Sequence, residues 1–136
     1  MNKKMNIVIV GLGNIGSYFY NYLKKNKKII FDKTNTVPNI LFVSARSFSK
    51  KRNFSISKKI WLKDYLSATK IKDVDIIIEL IGGAEGPAKK LVFEALKNKK
   101  HVITANKALV AKYGDQLSKI AEKNKVNFEF EAAVCG

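Results

Sequence analysis

The stretch that decides the fold is Ile7-Val8-Ile9-Val10-Gly11-Leu12-Gly13-Asn14-Ile15-Gly16. Four consecutive apolar residues, two of them valine and two isoleucine, suit a parallel strand buried on both faces. Gly11, Gly13 and Gly16 then follow in the pattern G-x-G-x-x-G, and a helix is predicted to begin near Asn14 and run to about Lys25. Alone the pattern is weak; between a buried strand and a helix it is informative. Gly11 permits a tight turn, Gly13 lets backbone approach a diphosphate without an intervening Cβ, and Gly16 lets the helix pack close to the strand. The helix N-terminus adds free N–H groups and the positive end of its dipole. The competing reading is a glycine turn in a doubly wound protein that binds no nucleotide.

Working outward, strands and helices alternate. In the first helix Ile15, Phe19, Tyr22 and Leu23 share one face. Residues 26–39 read as a helix end and connection, and Ile40 to Val43 as the next strand. Residues 47–59 form a loop, and Trp61 to Ala68 a short helix. Ile76 to Leu80 is a buried strand, and Pro87 opens a helix with Ala88, Leu91, Val92, Ala95 and Leu96 inward. His101 to Thr104 is a strand, Ala108 to Lys123 a helix with Leu109, Tyr113, Leu117, Ile120 and Ala121 inward, and Val126 to Glu131 a last strand. This order predicts an α/β protein: a Rossmann-type doubly wound parallel sheet with helices on both faces.

The end of the second strand selects among dinucleotides, an acid binding the ribose hydroxyls of NAD and an arginine the 2′-phosphate of NADP. Here the strand runs into Ser44-Ala45-Arg46-Ser47 with no acid nearby. Arg46 is the candidate phosphate clamp, with Ser47 and Lys50 or Lys51 beside it; the alternative is a solvated loop arginine. Gly82 and Gly83, just past the third strand, permit close approach to the nicotinamide ribose. Thr104 and Lys107 stand past the following strand, where Lys107 can face the nicotinamide ribose or a substrate carbonyl. A solvated helix-start lysine is the competing reading, although a cation there opposes the helix dipole.

Four segments together carry a resemblance: VGLGNIG (Val10–Gly16), DVDIIIELIGG (Asp73–Gly83), HVITANKALVAKYG (His101–Gly114) and FEAAVCG (Phe130–Gly136). In this order and spacing they resemble the cofactor half of homoserine dehydrogenase. The resemblance implies NAD(P)-linked interconversion of homoserine and aspartate semialdehyde, on the route to threonine and methionine. It implies NADP as cofactor, with NAD as the alternative. Leu12, Asn14 and Ile15 then contact the cofactor, and Lys107 is the catalytic lysine between nicotinamide and substrate. Glu131, Val134 and Gly136 match the family's sodium site. The family continues into a substrate and dimerisation domain, so residues 1–136 are expected to form the dinucleotide-binding domain alone. Such a chain would hold NADP(H) without turning over homoserine by itself, needing a partner for the missing domain or associating with its own copies. A stand-alone NADP(H)-binding module is the second reading.

Composition supports this and excludes other classes. Hydrophobic residues make up 46% and charged residues 27% of the 136, ordinary for a globular protein. No apolar run approaches a membrane span, and Ile7 to Val10 is too short for a signal-peptide core; the expected location is the cytosol. Cys135 is the lone cysteine, so neither an internal disulfide nor a multi-thiolate metal site can form. The net charge of +15 comes from scattered lysines, with clusters at 24–28, 50–52 and 97–100. No aromatic-rich RNA-binding strand, zinc spacing or helix-turn-helix accompanies it, which argues against nucleic acid. A basic surface instead draws in an anionic cofactor.

Overall fold

Ile7 to Val10 form the carboxyl half of β1 (Lys3–Val10) and are all buried. Successive side chains of a strand face opposite ways, and here both faces are covered. Val8 and Val10 pack with Leu91, Leu96, Leu109 and Leu117 on one side, Ile7 and Ile9 with Tyr20, Leu23 and Val43 on the other. The computed structural model describes residues 3–48, 52 and 54–130.

The elements follow in the order β1, α1 (Asn14–Lys25), α2 (Lys27–Thr34), β2 (Thr36–Ser44), β3 (Ile76–Glu79), α3 (Pro87–Lys97), β4 (His101–Thr104), α4 (Lys107–Asn124) and β5 (Phe128–Phe130). The strands make one sheet in the order β2-β1-β3-β4-β5, every pairing parallel. The expected doubly wound architecture is therefore present. The chain reverses its direction of travel across the sheet between β1 and β3, and the carboxyl ends there part to leave a crevice. Ala88, Leu91, Val92, Ala95 and Leu96 are all buried, as the helical spacing predicted. Burying each of the two leucines contributes about 1.5–3 kcal/mol.

Several local expectations are corrected. The buried residues of α1 are Gly16, Tyr20 and Leu23; Tyr22 is exposed and stacks on Tyr18 outside. Gly16 presses against the Gly11 carbonyl, which turns Tyr20 inward to stack on Phe54 at 5.3 Å. The presumed connection 26–39 contains α2, which buries no residue, and the start of β2. Pro38 lies within β2, paired with Met5. That is tolerated because β2 is the flanking strand of the sheet among the described residues, a place where proline is found. On its other side Val43 forms an isolated bridge with Trp61, and its carbonyl accepts from Leu62 N–H at 2.7 Å. The short helix predicted from Trp61 is a 3-10 helix over Tyr65–Lys70, capped by Asp64. β5 is shorter than predicted, and Glu131 lies outside the described residues.

Candidate functional site

The crevice at the carboxyl ends of β1, β2 and β3 has a volume of about 730 Å³. Its floor is Val10, Gly11, Leu12 and Gly13. One wall is Ser44 to Ser47 with Arg52, Lys63 and Tyr65; the other is Leu80, Ile81, Gly82, Glu85 and Pro87. Gly11 N–H donates to the Ser44 carbonyl at 2.8 Å, and Leu80 N–H to the Val10 carbonyl at 2.8 Å. These bonds join the three strand ends around the turn.

The glycines of the turn are needed for different reasons. Gly11 has φ +106°, and a Cβ there would lie 2.6 Å from the Leu80 carbonyl. A Cβ on Gly16 would lie 1.9 Å from the Gly11 oxygen. A Cβ on Gly13 would meet no protein atom within 4 Å. The first two shape the turn, and the third leaves space above it. Gly13 is also the N-cap of α1, and no side chain caps that terminus. First-turn N–H groups of a helix have no partner within the helix, and Gly13, which precedes them, lines the crevice. This is the arrangement a diphosphate fits.

Arg46 is exposed and lines the crevice. Arg52, Lys63 and Tyr65 line it too and were not singled out from the sequence. Arg52 donates to the Ser47 carbonyl at 3.0 Å and lies over the Trp61 ring at 5.6 Å. It thereby braces the loop that carries Arg46.

The opposite wall is held by buried polar groups. Glu79 and Thr104 have no exposed surface and Asn106 is buried. Glu79 accepts from Ile81 N–H at 2.9 Å, from Gly82 N–H at 3.0 Å and from the Thr104 hydroxyl. Thr104 Oγ1 accepts from Asn106 N–H at 3.0 Å, and Asn106 Nδ2 donates to the Gly83 carbonyl at 2.6 Å. Asn106 Oδ1 caps α4 by accepting from Leu109 N–H at 3.0 Å. The ring fixes Gly82 and Gly83 with φ +92° and +85°, values suited to glycine. Thr104, expected beside the cofactor, is buried at the end of β4 with its hydroxyl bonded to Glu79.

Glu85 closes this wall on the outside. Its carboxylate accepts from the Tyr113 hydroxyl at 2.6 Å and lies 3.3 Å from Lys89 and 3.4 Å from Lys112. The Tyr113 hydrogen bond above all, with the two ammonium groups, holds the Glu85 carboxyl below its ordinary range.

Of the remaining sequence candidates, Asn14 is exposed at the start of α1 and Ile15 half-buried. Lys107 is the exposed first residue of α4, past the carboxyl end of β4 and outside the crevice lining. Glu131, Val134 and Gly136 fall outside the described residues, as do Lys50 and Lys51. Among the described residues no group of three His, Cys, Asp or Glu could hold a metal ion. None of their helices is long and apolar enough to cross a membrane.

Sheet order, glycine turn and crevice define a doubly wound domain of the dinucleotide-binding class. The chain belongs to the family described as homoserine dehydrogenase, NAD binding domain, whose model matches residues 11–131. It is similar to homoserine dehydrogenase of Neisseria gonorrhoeae, 38% identical over 98% of this chain and 30% of that protein. A crystal structure of S. aureus homoserine dehydrogenase superposes with TM-score 0.86 and 41% identity over 96% of this chain and 33% of that one. A hyperthermophilic archaeal homoserine dehydrogenase mutant in complex with NADPH shares the fold, with TM-score 0.76 and 20% identity over 96% of this chain and 44% of that one. The chain thus spans about a third of the length of its N. gonorrhoeae and S. aureus relatives.

Proposed function

We propose that this chain is the cofactor-holding part of a homoserine dehydrogenase, that it binds NADP(H) in preference to NAD(H), and that it serves the interconversion of homoserine and aspartate semialdehyde. The observation that carries the reading is the open space over Gly13 at an uncapped helix N-terminus, with Arg46 on the adjoining wall. The turn Gly11 to Gly16 would hold the diphosphate, with Leu12, Asn14 and Ile15 flanking it. Arg46 would take the 2′-phosphate by charge-assisted hydrogen bonds, with Lys63 adding positive charge on the same wall. Gly82 and Gly83 leave room for the nicotinamide ribose, and Lys107, exposed at the carboxyl edge, is assigned to the substrate oxygen.

The cofactor, when bound, supplies or takes the hydride. The chain's own residues orient it: the turn anchors the diphosphate, Arg46 one end, and the wall built on Glu79, Thr104 and Asn106 the other. The test is selectivity. NADPH should bind more tightly than NADH, and Arg46→Ala should weaken NADPH about 10- to 100-fold while leaving NADH unchanged, the value of charged hydrogen bonds to one phosphate. Equal affinities for the two, unaltered by the substitution, would remove Arg46 from this part.

A further inference from the structure

Glu79 is a fully buried acid, and among the described residues the groups bonded to its carboxyl are neutral. Among the described residues no cationic side chain forms an ion pair with it; the ion pairs formed there belong to Glu85. Its oxygens accept from Ile81 N–H, Gly82 N–H and the Thr104 hydroxyl. Thr104 Oγ1 is itself the acceptor for Asn106 N–H, so its proton points at Glu79. The Ile81 and Gly82 N–H groups can only donate, and the Thr104 hydroxyl is placed to donate as well, a set that suits the acceptor-only carboxylate. An anion buried without a cation is costly, and a neutral side chain could be accommodated in a core strand end more cheaply.

The position of the charge suggests what it does. Ile81 and Gly82, whose N–H groups it holds, line the crevice, so one layer of backbone separates the carboxylate from ligand space. The order β2-β1-β3-β4 assigns the halves of a dinucleotide. Arg46 after β2 marks the adenosine side and the turn after β1 the diphosphate, so the ends of β3 and β4 receive the nicotinamide half. The nicotinamide ring is cationic when oxidised and neutral when reduced. A fixed negative charge in a low-dielectric wall attracts the first and not the second.

We propose that Glu79 sets the balance between oxidised and reduced cofactor, its buried carboxylate favouring the cationic nicotinamide. The proposal rests on the dinucleotide reading above. It assigns Glu79 a part through its field, not through contact with reacting atoms. The consequence is a tighter relative grip on NADP+ and a lowered reduction potential of the bound couple.

The test is a pair of dissociation constants, for NADP+ and NADPH, on the wild-type chain, Glu79→Gln and Thr104→Val, each first shown to be folded by circular dichroism. Glu79→Gln should raise the ratio of the NADP+ constant to the NADPH constant about fivefold, as expected for losing one charge at moderate effective dielectric. Thr104→Val breaks the same ring but keeps the charge, so both constants should shift together and the ratio stay put. An unchanged ratio in Glu79→Gln, with both nucleotides still bound, overturns the proposal alone. Failure of the folded wild-type chain to bind either nucleotide overturns the dinucleotide reading and this proposal with it. Should Glu79→Gln not fold, the wild type decides against 2′-phospho-ADP-ribose, which lacks the ring. NADP+ must gain more affinity over that reference than NADPH does; an equal or smaller gain overturns the assignment.

Discussion

Gly13 and Gly16 lie one helical turn apart, yet a methyl group added at each meets opposite surroundings. At Gly16 it would fall on the Gly11 oxygen at 1.9 Å, and at Gly13 it would reach open space. Gly16→Ala should therefore cost folding stability, about 2–4 kcal/mol, in the range of severe backbone overpacking. Gly13→Ala should cost about 1 kcal/mol or less, the loss of a modest N-cap, but weaken NADPH at least about tenfold by occupying phosphate space. Urea denaturation and nucleotide titration on both variants check the contrast; loss of stability at Gly13 with intact binding would reverse the assignments. These positions were legible in the sequence because each backbone demand selects one residue type. Arg52, Lys63 and Tyr65 were not, since folding of the loop and the 3-10 segment brings them to the crevice from 6 to 19 residues beyond Arg46. Glu79 was hidden differently. An acid closing an apolar run reads as a strand end, and only the donors around it reveal a buried charge.

Elements buried on both faces could be read directly: β1, β3 and β4 are short apolar runs, and α3 shows its inward face at helical spacing. Those at the margin could not. α2 buries no residue, so no periodic apolar face announces it, and β2 tolerates a proline as the flanking strand of the sheet among the described residues. The segment between β3 and α3 depends on tertiary contacts in the same way, through the clasp of Glu85 with Tyr113, Lys89 and Lys112. Its pH dependence follows from the depressed Glu85 carboxyl. The charged form is favoured in the folded state, so the clasp is complete above the ordinary carboxylate value and is lost as pH falls through the lower folded value. Hydrogen-exchange protection of residues 82–86, corrected for intrinsic rates, should drop over that acidic window. Tyr113→Phe should lower it at neutral pH as well. Protection indifferent to both changes would mean that the segment is held by the buried Glu79 ring alone.

At the scale of the whole molecule, the charge of +15 gives the cofactor reading a measurable signature. Arg46, Arg52 and Lys63 gather at the crevice on a protein already strongly basic, and a dinucleotide phosphate is strongly anionic. Attraction of this kind is screened by salt. NADPH affinity should fall about fivefold or more between about 0.05 M and about 0.5 M ionic strength, with NADH, one phosphate poorer, falling less. Matching slopes would place the 2′-phosphate away from these cations. The account as a whole depends on a nucleotide diphosphate lying in the turn after β1. A calorimetric titration of the folded chain with NADPH tests that most directly. Saturable binding of one molecule per chain, weakened by Gly13→Ala, is the predicted result, and the absence of binding by either reduced coenzyme would contradict it.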